Sequence, residues 1–173
     1  MNFYNGFSLQ NEEYLFEPFL KEGEYTVSGF SYGAIKALNA VIQALKDKKR
    51  VDTLQLLSPA FFQSKPEKFK RLQLMSYKKN RAVYLEQFLK GCFAPYESKI
   101  VKNVQTDISE LEELLYYEWD IEILEKIVNA GVKIEVYLGS RDAIIDVQSA
   151  RGFFFKVATV TYIKDANHFL QLS

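Results

Sequence analysis

Three residues have the chemistry to work as one unit: Ser31, Asp142 and His168. A serine hydroxyl is a poor nucleophile at neutral pH. An imidazole that takes its proton corrects this, and a carboxylate on the other ring nitrogen fixes the tautomer and stabilises the resulting charge. His168 is the only histidine in the chain, so any imidazole chemistry falls to it. Ser31 lies in Gly29-Phe30-Ser31-Tyr32-Gly33, after the β-branched and aromatic run Tyr25, Thr26, Val27 and before the helical pattern Ala34, Ile35, Ala37, Leu38, Val41, Ile42, Leu45. Strand, sharp turn and helix is the context that pushes such a serine out of a sheet. The flanking glycines remove Cβ atoms that would collide with the neighbouring strand and helix. The first helical turn then aims free N–H groups at developing negative charge.

Asp142 stands in Gly139-Ser140-Arg141-Asp142, a turn just past the strongly apolar run 132–138. Asp146, four residues on, is the alternative acid; Asp142 is favoured because it lies closer to the end of that run. His168 follows Asp165-Ala166-Asn167, after the last strand-like segment. Each residue alone also fits a plainer role, as an idle turn serine, a turn-forming aspartate or a surface histidine. Together, in the order Ser, Asp, His, they point to nucleophilic acyl chemistry.

The elements that must position them alternate. The sequence predicts a short strand over 1–5, a helix from about Asn11 to Lys21 that kinks or breaks near Pro18, a strand over 24–30 and a helix over about 32–47. A strand at 53–57 follows. After residue 118 come a helix stopped by Gly131, a strand at 132–138, a helix near 147–155 and a strand at 158–163. Residues 1–59 and 118–173 are therefore expected to form an α/β core with about five mainly parallel strands. Residues 60–117 break the alternation and read as helical, with stripes Leu85, Phe88, Leu89, Cys92 and Leu111, Leu114, Leu115. They are expected to insert across the active rim of the sheet as a lid; ordinary core helices are the alternative.

Composition narrows the function. The 173 residues carry 22 basic and 22 acidic side chains, so the formal net charge is zero and no overall attraction to nucleic acid or membrane follows. One cysteine, Cys92, allows no intramolecular disulfide. One imidazole with scattered carboxylates does not make a metal site, and none is expected. No stretch approaches a membrane span, and the N-terminal residues lack the pattern of a signal peptide, so a cytoplasmic location is the expectation.

Through Asn5-Gly6-Phe7, Gly29-Phe30-Ser31-Tyr32-Gly33, Gly139-Ser140-Arg141-Asp142 and Asn167-His168-Phe169, the chain resembles the α/β-hydrolase fold family. Within that family it most resembles the short esterases of biotin synthesis that cleave the methyl ester of pimeloyl-acyl carrier protein. The resemblance implies a catalytic triad of Ser31, Asp142 and His168, with no cofactor. It implies an oxyanion hole from the Phe7 and Tyr32 backbone N–H groups, because Gly6-Phe7 matches the family's His-Gly position with Asn5 in place of the histidine. Only 22 residues separate Gly6 from Gly29, too few for the strand–helix unit of longer members, which implies a minimal hydrolase trimmed at one sheet edge.

Charge is split within the insertion. From Ala60 to Lys102 ten basic residues face three acidic ones, and from Asn103 to Glu125 there are eight acidic residues and no basic one. A net +7 stretch beside an active site suits an acidic partner such as acyl carrier protein, with Lys70, Arg71, Lys78, Lys79 and Arg81 as candidate contacts. Phe61, Phe62, Leu72, Met75, Tyr77, Tyr84, Phe88 and Phe93 are candidates to sheathe an acyl chain. A thioesterase, a general short-chain carboxylesterase and a non-catalytic protein-binding relative are the competing readings.

Overall fold

The structure is a computed structural model and describes residues 2–173. The chain runs β1 (Asn2–Tyr4), β2 (Leu9–Gln10), a single 3-10 turn (Glu13–Phe16), β3 (Thr26–Phe30), α1 (Tyr32–Lys46) and β4 (Thr53–Leu57). It continues with α2 (Glu67–Lys79), α3 (Arg81–Phe93), β5 (Lys102–Asn103), α4 (Ile108–Tyr116), α5 (Ile121–Asn129), β6 (Lys133–Gly139), α6 (Val147–Phe154) and β7 (Thr159–Ile163).

Five strands form one sheet in the order β1-β3-β4-β6-β7, every neighbouring pair parallel. The expected continuous five-stranded sheet is therefore present. Val27, Leu54 and Ile134 lie in register, as do Gly29, Leu56 and Val136. With Leu138 they point to the face covered by α1, α5 and α6, where Ala34, Ile35, Leu38, Val41, Leu124, Ile127, Ala150 and Phe154 are buried. Each such Leu, Ile or Phe contributes about 1.5–3 kcal/mol over the exposed side chain. Caps fix where helices begin: Asn80, Asp107, Asp120 and Asp146 each accept a backbone N–H of the first turn of α3, α4, α5 and α6. Gly131, at φ +93°, ends α5 as expected.

The opposite face differs from the alternating pattern. Near the carboxyl ends of the strands Phe30, Leu57, Tyr137 and Ile163 meet Phe16, Phe19, Phe93 and Phe169. Further back, Ser28, Gln55 and Glu135 stand side by side across three strands. Gln55 accepts from Ser28 Oγ and from the Lys21 N–H, and donates to Glu135 and to the Phe19 carbonyl. Lys21 and Lys133 pair with Glu135. Hydrogen bonding offsets the cost of burying these groups.

Two expectations need correction. Residues 11–21 do not form a helix. Asn11 takes φ +76°, and only the 3-10 turn forms before Pro18 and the irregular run to Tyr25. The strand expected over 24–30 starts at Thr26, because Gly23 at φ +153° turns the chain just before it. The strand expected over 1–5 is Asn2–Tyr4, and Met1 lies outside the described residues.

The segment between β4 and α5 is helical, as expected, with one addition. Its β5 pairs antiparallel with β2, Leu9 opposite Asn103 and Gln10 opposite Lys102. Two-residue strands carry almost no periodicity, so sequence reading has no handle on them.

Candidate active site

Ser31 sits where β3 turns into α1, at φ 53° and ψ −114°. L-residues rarely occupy this region, at a cost of about 1–3 kcal/mol. The neighbouring glycines make the turn feasible. A Cβ on Gly29 would stand 2.2 Å from the Gly33 carbonyl oxygen, and one on Gly33 would stand 2.0 Å from that of Tyr4. The serine backbone is held in turn: its N–H donates to the Leu57 carbonyl, and its own carbonyl accepts from the Ala34 and Ala60 amides.

The loops after β6 and β7 are laced together, and a third glycine permits it. A Cβ on Gly139 would lie 2.4 Å from the Ala166 carbonyl oxygen. Across the same approach the Arg141 N–H donates to Ala166, the Ser140 N–H to Ile163, and the Asp165 N–H to Ser140 Oγ. The result brings all three candidate residues together. His168 Nε2 lies 3.0 Å from Ser31 Oγ, and His168 Nδ1 lies 2.6 Å from Asp142 Oδ2. The Asp142 and His168 side chains are fully buried. Asp142 Oδ1 accepts from the Ile144 and Ile145 amides, which fixes the carboxylate plane. These partners assign the tautomer: Nδ1 carries the proton toward Asp142, and Nε2 is free to accept from the serine hydroxyl.

Asp146, the alternative acid, is engaged elsewhere. It caps α6 through the Ser149 N–H and accepts from the Ser149 and Ser64 hydroxyls. The Ser149 bonds hold its carboxyl below the usual range.

Phe7 lies in the loop after β1, and Tyr32 follows Ser31 directly as the first residue of α1. Tyr32 opens α1, so its N–H precedes the first intrahelical bond. The Phe7 N–H has no acceptor among the described residues. The Phe7 ring packs edge-on against Phe88 and tilted against Tyr77. Ser8 is tied to the inserted segment as well, its carbonyl accepting from the Val104 N–H and its hydroxyl pairing with that of Thr106.

Of the aromatic and apolar residues expected to surround an acyl chain, the structure gathers only some. A cavity of about 690 Å³ between α2, α3 and α4 is lined by Phe62, Phe69, Val83, Tyr84, Phe88, Leu111, Leu114, Leu115 and Ile144, with Lys65 and Lys79 among its polar residues. Phe61, Tyr77 and Phe93 are instead buried in the core, and Leu72 and Met75 face outward. The cavity wall includes Ala143 and Ile144, the two residues after Asp142, but not Ser31, which is 5% exposed.

The five basic candidates divide. Lys70 lies over the Tyr116 ring and Arg71 pairs with Glu67 on its own helix. Lys78, Lys79 and Arg81 are exposed around the α2–α3 junction and make no ion pair among the described residues. The acidic stretch turns toward α1, where Glu110 pairs with Lys36 and Glu113 accepts from the Tyr32 hydroxyl. Among the described residues no ion pair joins the basic and acidic stretches of the insertion.

Sequence reasoning did not single out the supports of His168. Phe30 packs on its ring at 5.0 Å between centroids, and Phe169 stacks on both Phe30 and Phe93. Asn167, fully buried, donates to the Phe93 carbonyl and accepts from the Gln171 N–H. The sequence offered only their places beside Ser31 and His168 in Gly29-Phe30-Ser31 and Asn167-His168-Phe169. Cys92 is buried close to Asp142; burial first and that charge second push its thiol well above the usual range, so it stays protonated. Among the described residues no cluster of three His, Cys, Asp or Glu side chains could hold a metal ion, and no helix is long and apolar enough to cross a membrane.

The sequence matches no protein-family model and no curated protein. Solved structures do match. Carboxylesterase CesB from Bacillus subtilis superposes with a TM-score of 0.57 at 18% identity, over 85% of this chain and 54% of that one. A bromoperoxidase from Bacillus anthracis gives 0.60 at 16%, over 84% and 60%. The chain has the α/β-hydrolase fold. BioG from Haemophilus influenzae, at 0.56 and 10% identity, is matched over 97% of this chain and 87% of its own length. The chain thus spans about half of CesB and most of BioG.

Proposed function

We propose that this protein is a serine carboxylesterase that hydrolyses the methyl ester of pimeloyl-acyl carrier protein. The observation that carries the esterase reading is the buried chain Ser31 Oγ, His168 Nε2, His168 Nδ1, Asp142 Oδ2, with links of 3.0 Å and 2.6 Å.

In this mechanism Ser31 Oγ attacks the ester carbonyl while His168 Nε2 takes the hydroxyl proton. Asp142 stabilises the imidazolium without itself becoming protonated. The carbonyl oxygen gains the charge and faces the Phe7 and Tyr32 N–H groups; one such donor is worth about 3–4 kcal/mol in the transition state. The tetrahedral intermediate collapses, the C–O bond to methoxide breaks, and His168 returns the proton so that methanol leaves. Water then attacks the acyl-serine with His168 as base, releasing the free carboxylate and restoring Ser31. No cofactor takes part.

Residues 60–117 act as the lid, closing over Phe7 through Tyr77 and Phe88. The cavity between its helices, within the ~300–1,000 Å³ range of small-ligand sites, takes the acyl chain. The lid's basic stretch, unpaired by its acidic neighbour, steers the acidic carrier, with Lys78, Lys79 and Arg81 the freest of its candidate contacts. The match to BioG, over 97% of this chain and 87% of that one, supports this reading at the level of the fold.

The test is incubation with pimeloyl-acyl carrier protein methyl ester, wild type beside Ser31→Ala, followed by carrier mass. Loss of one methylene's mass in the wild type alone supports the proposal. Release of unacylated carrier makes the enzyme a thioesterase, and an unchanged carrier contradicts both.

A further inference from the structure

The Gly6-Phe7 backbone must present one N–H in one direction, yet Gly6 is the residue type with the freest dihedrals. Two hydrogen bonds remove that freedom. The Gly6 N–H donates to Glu12 Oε1 at 2.6 Å, which fixes the peptide plane before Gly6. The Gly6 carbonyl accepts from the Leu9 N–H at 3.2 Å. In a trans peptide the Phe7 N–H points opposite to that carbonyl, so the second bond sets its direction. The Cα of Gly6 rests on Phe30, where a Cβ would meet the ring at 2.8 Å.

Glu12 is an unusual choice of partner for a backbone amide. Its side chain is completely buried, and Oε2 has no hydrogen-bond partner among the described residues. A buried polar atom left unpaired is costly, and an apolar residue would pack at that place without such a cost. The carboxyl earns no ion pair in return. What it supplies is one acceptor, aimed at Gly6.

We propose that Glu12 is a positioning residue for ester hydrolysis: it holds the Gly6 amide so that the Phe7 N–H keeps its aim at the oxyanion of the tetrahedral intermediate. This rests on the esterase reading above. Burial also pushes the Glu12 carboxyl above its usual range, which favours the neutral form beside a site that must accumulate negative charge. The neutral acid and a glutamine present the same acceptor to Gly6.

The test compares wild type, Glu12→Gln, Glu12→Asp and Ser31→Ala with p-nitrophenyl acetate, reading kcat and KM separately, with thermal melting on each. Glutamine retains the acceptor at the same reach, so its kcat is expected within a few-fold of wild type. Aspartate withdraws the acceptor by one methylene, and kcat is expected to fall at least tenfold with KM little changed, short of the ~10²–10³ cost of deleting a donor outright. An Asp variant with wild-type kcat, or a Gln variant as slow as the Asp variant, overturns the role of Glu12. If wild type shows no turnover beyond Ser31→Ala, the esterase reading falls and the role falls with it. Should the Asp variant fail to fold, hydrogen exchange of the Gly6 amide in Glu12→Gln decides: protection as in wild type supports the hold, and free exchange with unchanged kcat overturns it.

Discussion

The Tyr32 hydroxyl donates a 2.5 Å hydrogen bond to Glu113 Oε2, tying the residue after the nucleophile to helix α4 of the lid. Lys36, one turn further along α1, pairs with Glu110 and lies over the Tyr32 ring. Burial first and the Glu113 carboxylate second push the phenol well above its usual range. A raised acid of this kind contributes stability that is present below the ordinary tyrosine range and lost as pH climbs through the higher value. Tyr32→Phe keeps the backbone N–H and removes the tie. Stability is expected to fall by about 1 kcal/mol in urea unfolding at pH 7, with the loss shrinking in the alkaline range. An unchanged midpoint would show that the tie contributes nothing.

The two aspartates four residues apart have separable roles. Asp142→Asn reverses the hydrogen-bond preference at His168 Nδ1 and is expected to lower kcat by about 10⁴ with little loss of fold. Asp146→Ala removes the α6 cap, lowering stability by about 1 kcal/mol while leaving kcat within a few-fold. Steady-state kinetics and thermal melts on both variants check this; the opposite pattern would make Asp146 the acid.

Much of this site was readable in the chain. Ser31 and His168 were legible because each type is scarce or flanked by punctuation, and the glycines at 29, 33 and 139 mark the close approaches the structure contains. The α/β alternation was legible in 24–59 and 118–163, where burial on one face imposes periodicity. Residues 11–21 misled because Tyr14, Leu15 and Phe19 mimic a helical stripe. Leu15 is in fact buried by a 3-10 turn, and Tyr14 reaches out to the Ile100 carbonyl. The Ser28-Gln55-Glu135 ladder was invisible because its partners are set by strand register, which no single segment encodes.

Two glycines give a direct contrast. Gly139→Ala drives a Cβ into the Ala166 carbonyl, between the loops that carry Asp142 and His168. It is expected to cost at least the ~1–3 kcal/mol of an overpacked site. Gly152, inside α6 with nothing near its would-be Cβ, should gain about 0.5–1 kcal/mol as alanine. Paired urea titrations test both, and equal midpoints would contradict the packing account.

Acid and neutral pH act on different carboxyls. Burial alone would raise Glu135, but hydrogen bonds from Lys133 and Tyr137, with the charges of Lys133 and Lys21, hold it below the usual range. Its contribution is therefore full above pH ~4.3 and lost as pH falls through the depressed value. Glu12 has the opposite sign: burial raises it, so its contribution is present below pH 4.5 and lost as pH rises through the higher value. Melting temperature followed from pH 3 to 8 is expected to fall less steeply on the acid side in Glu135→Gln. It should decline less toward neutrality in Glu12→Gln. Parallel curves in all three proteins would contradict both assignments.

The proposed hydrolysis requires Ser31 to be a nucleophile activated by His168. The most direct test is labelling with a small fluorophosphonate, read by intact mass and peptide mapping. One phosphonyl adduct is expected on Ser31 of the wild type, none on Ser31→Ala, and labelling of His168→Gln slowed by several orders of magnitude. A wild type that remains unlabelled, or an adduct that persists in Ser31→Ala, would contradict it.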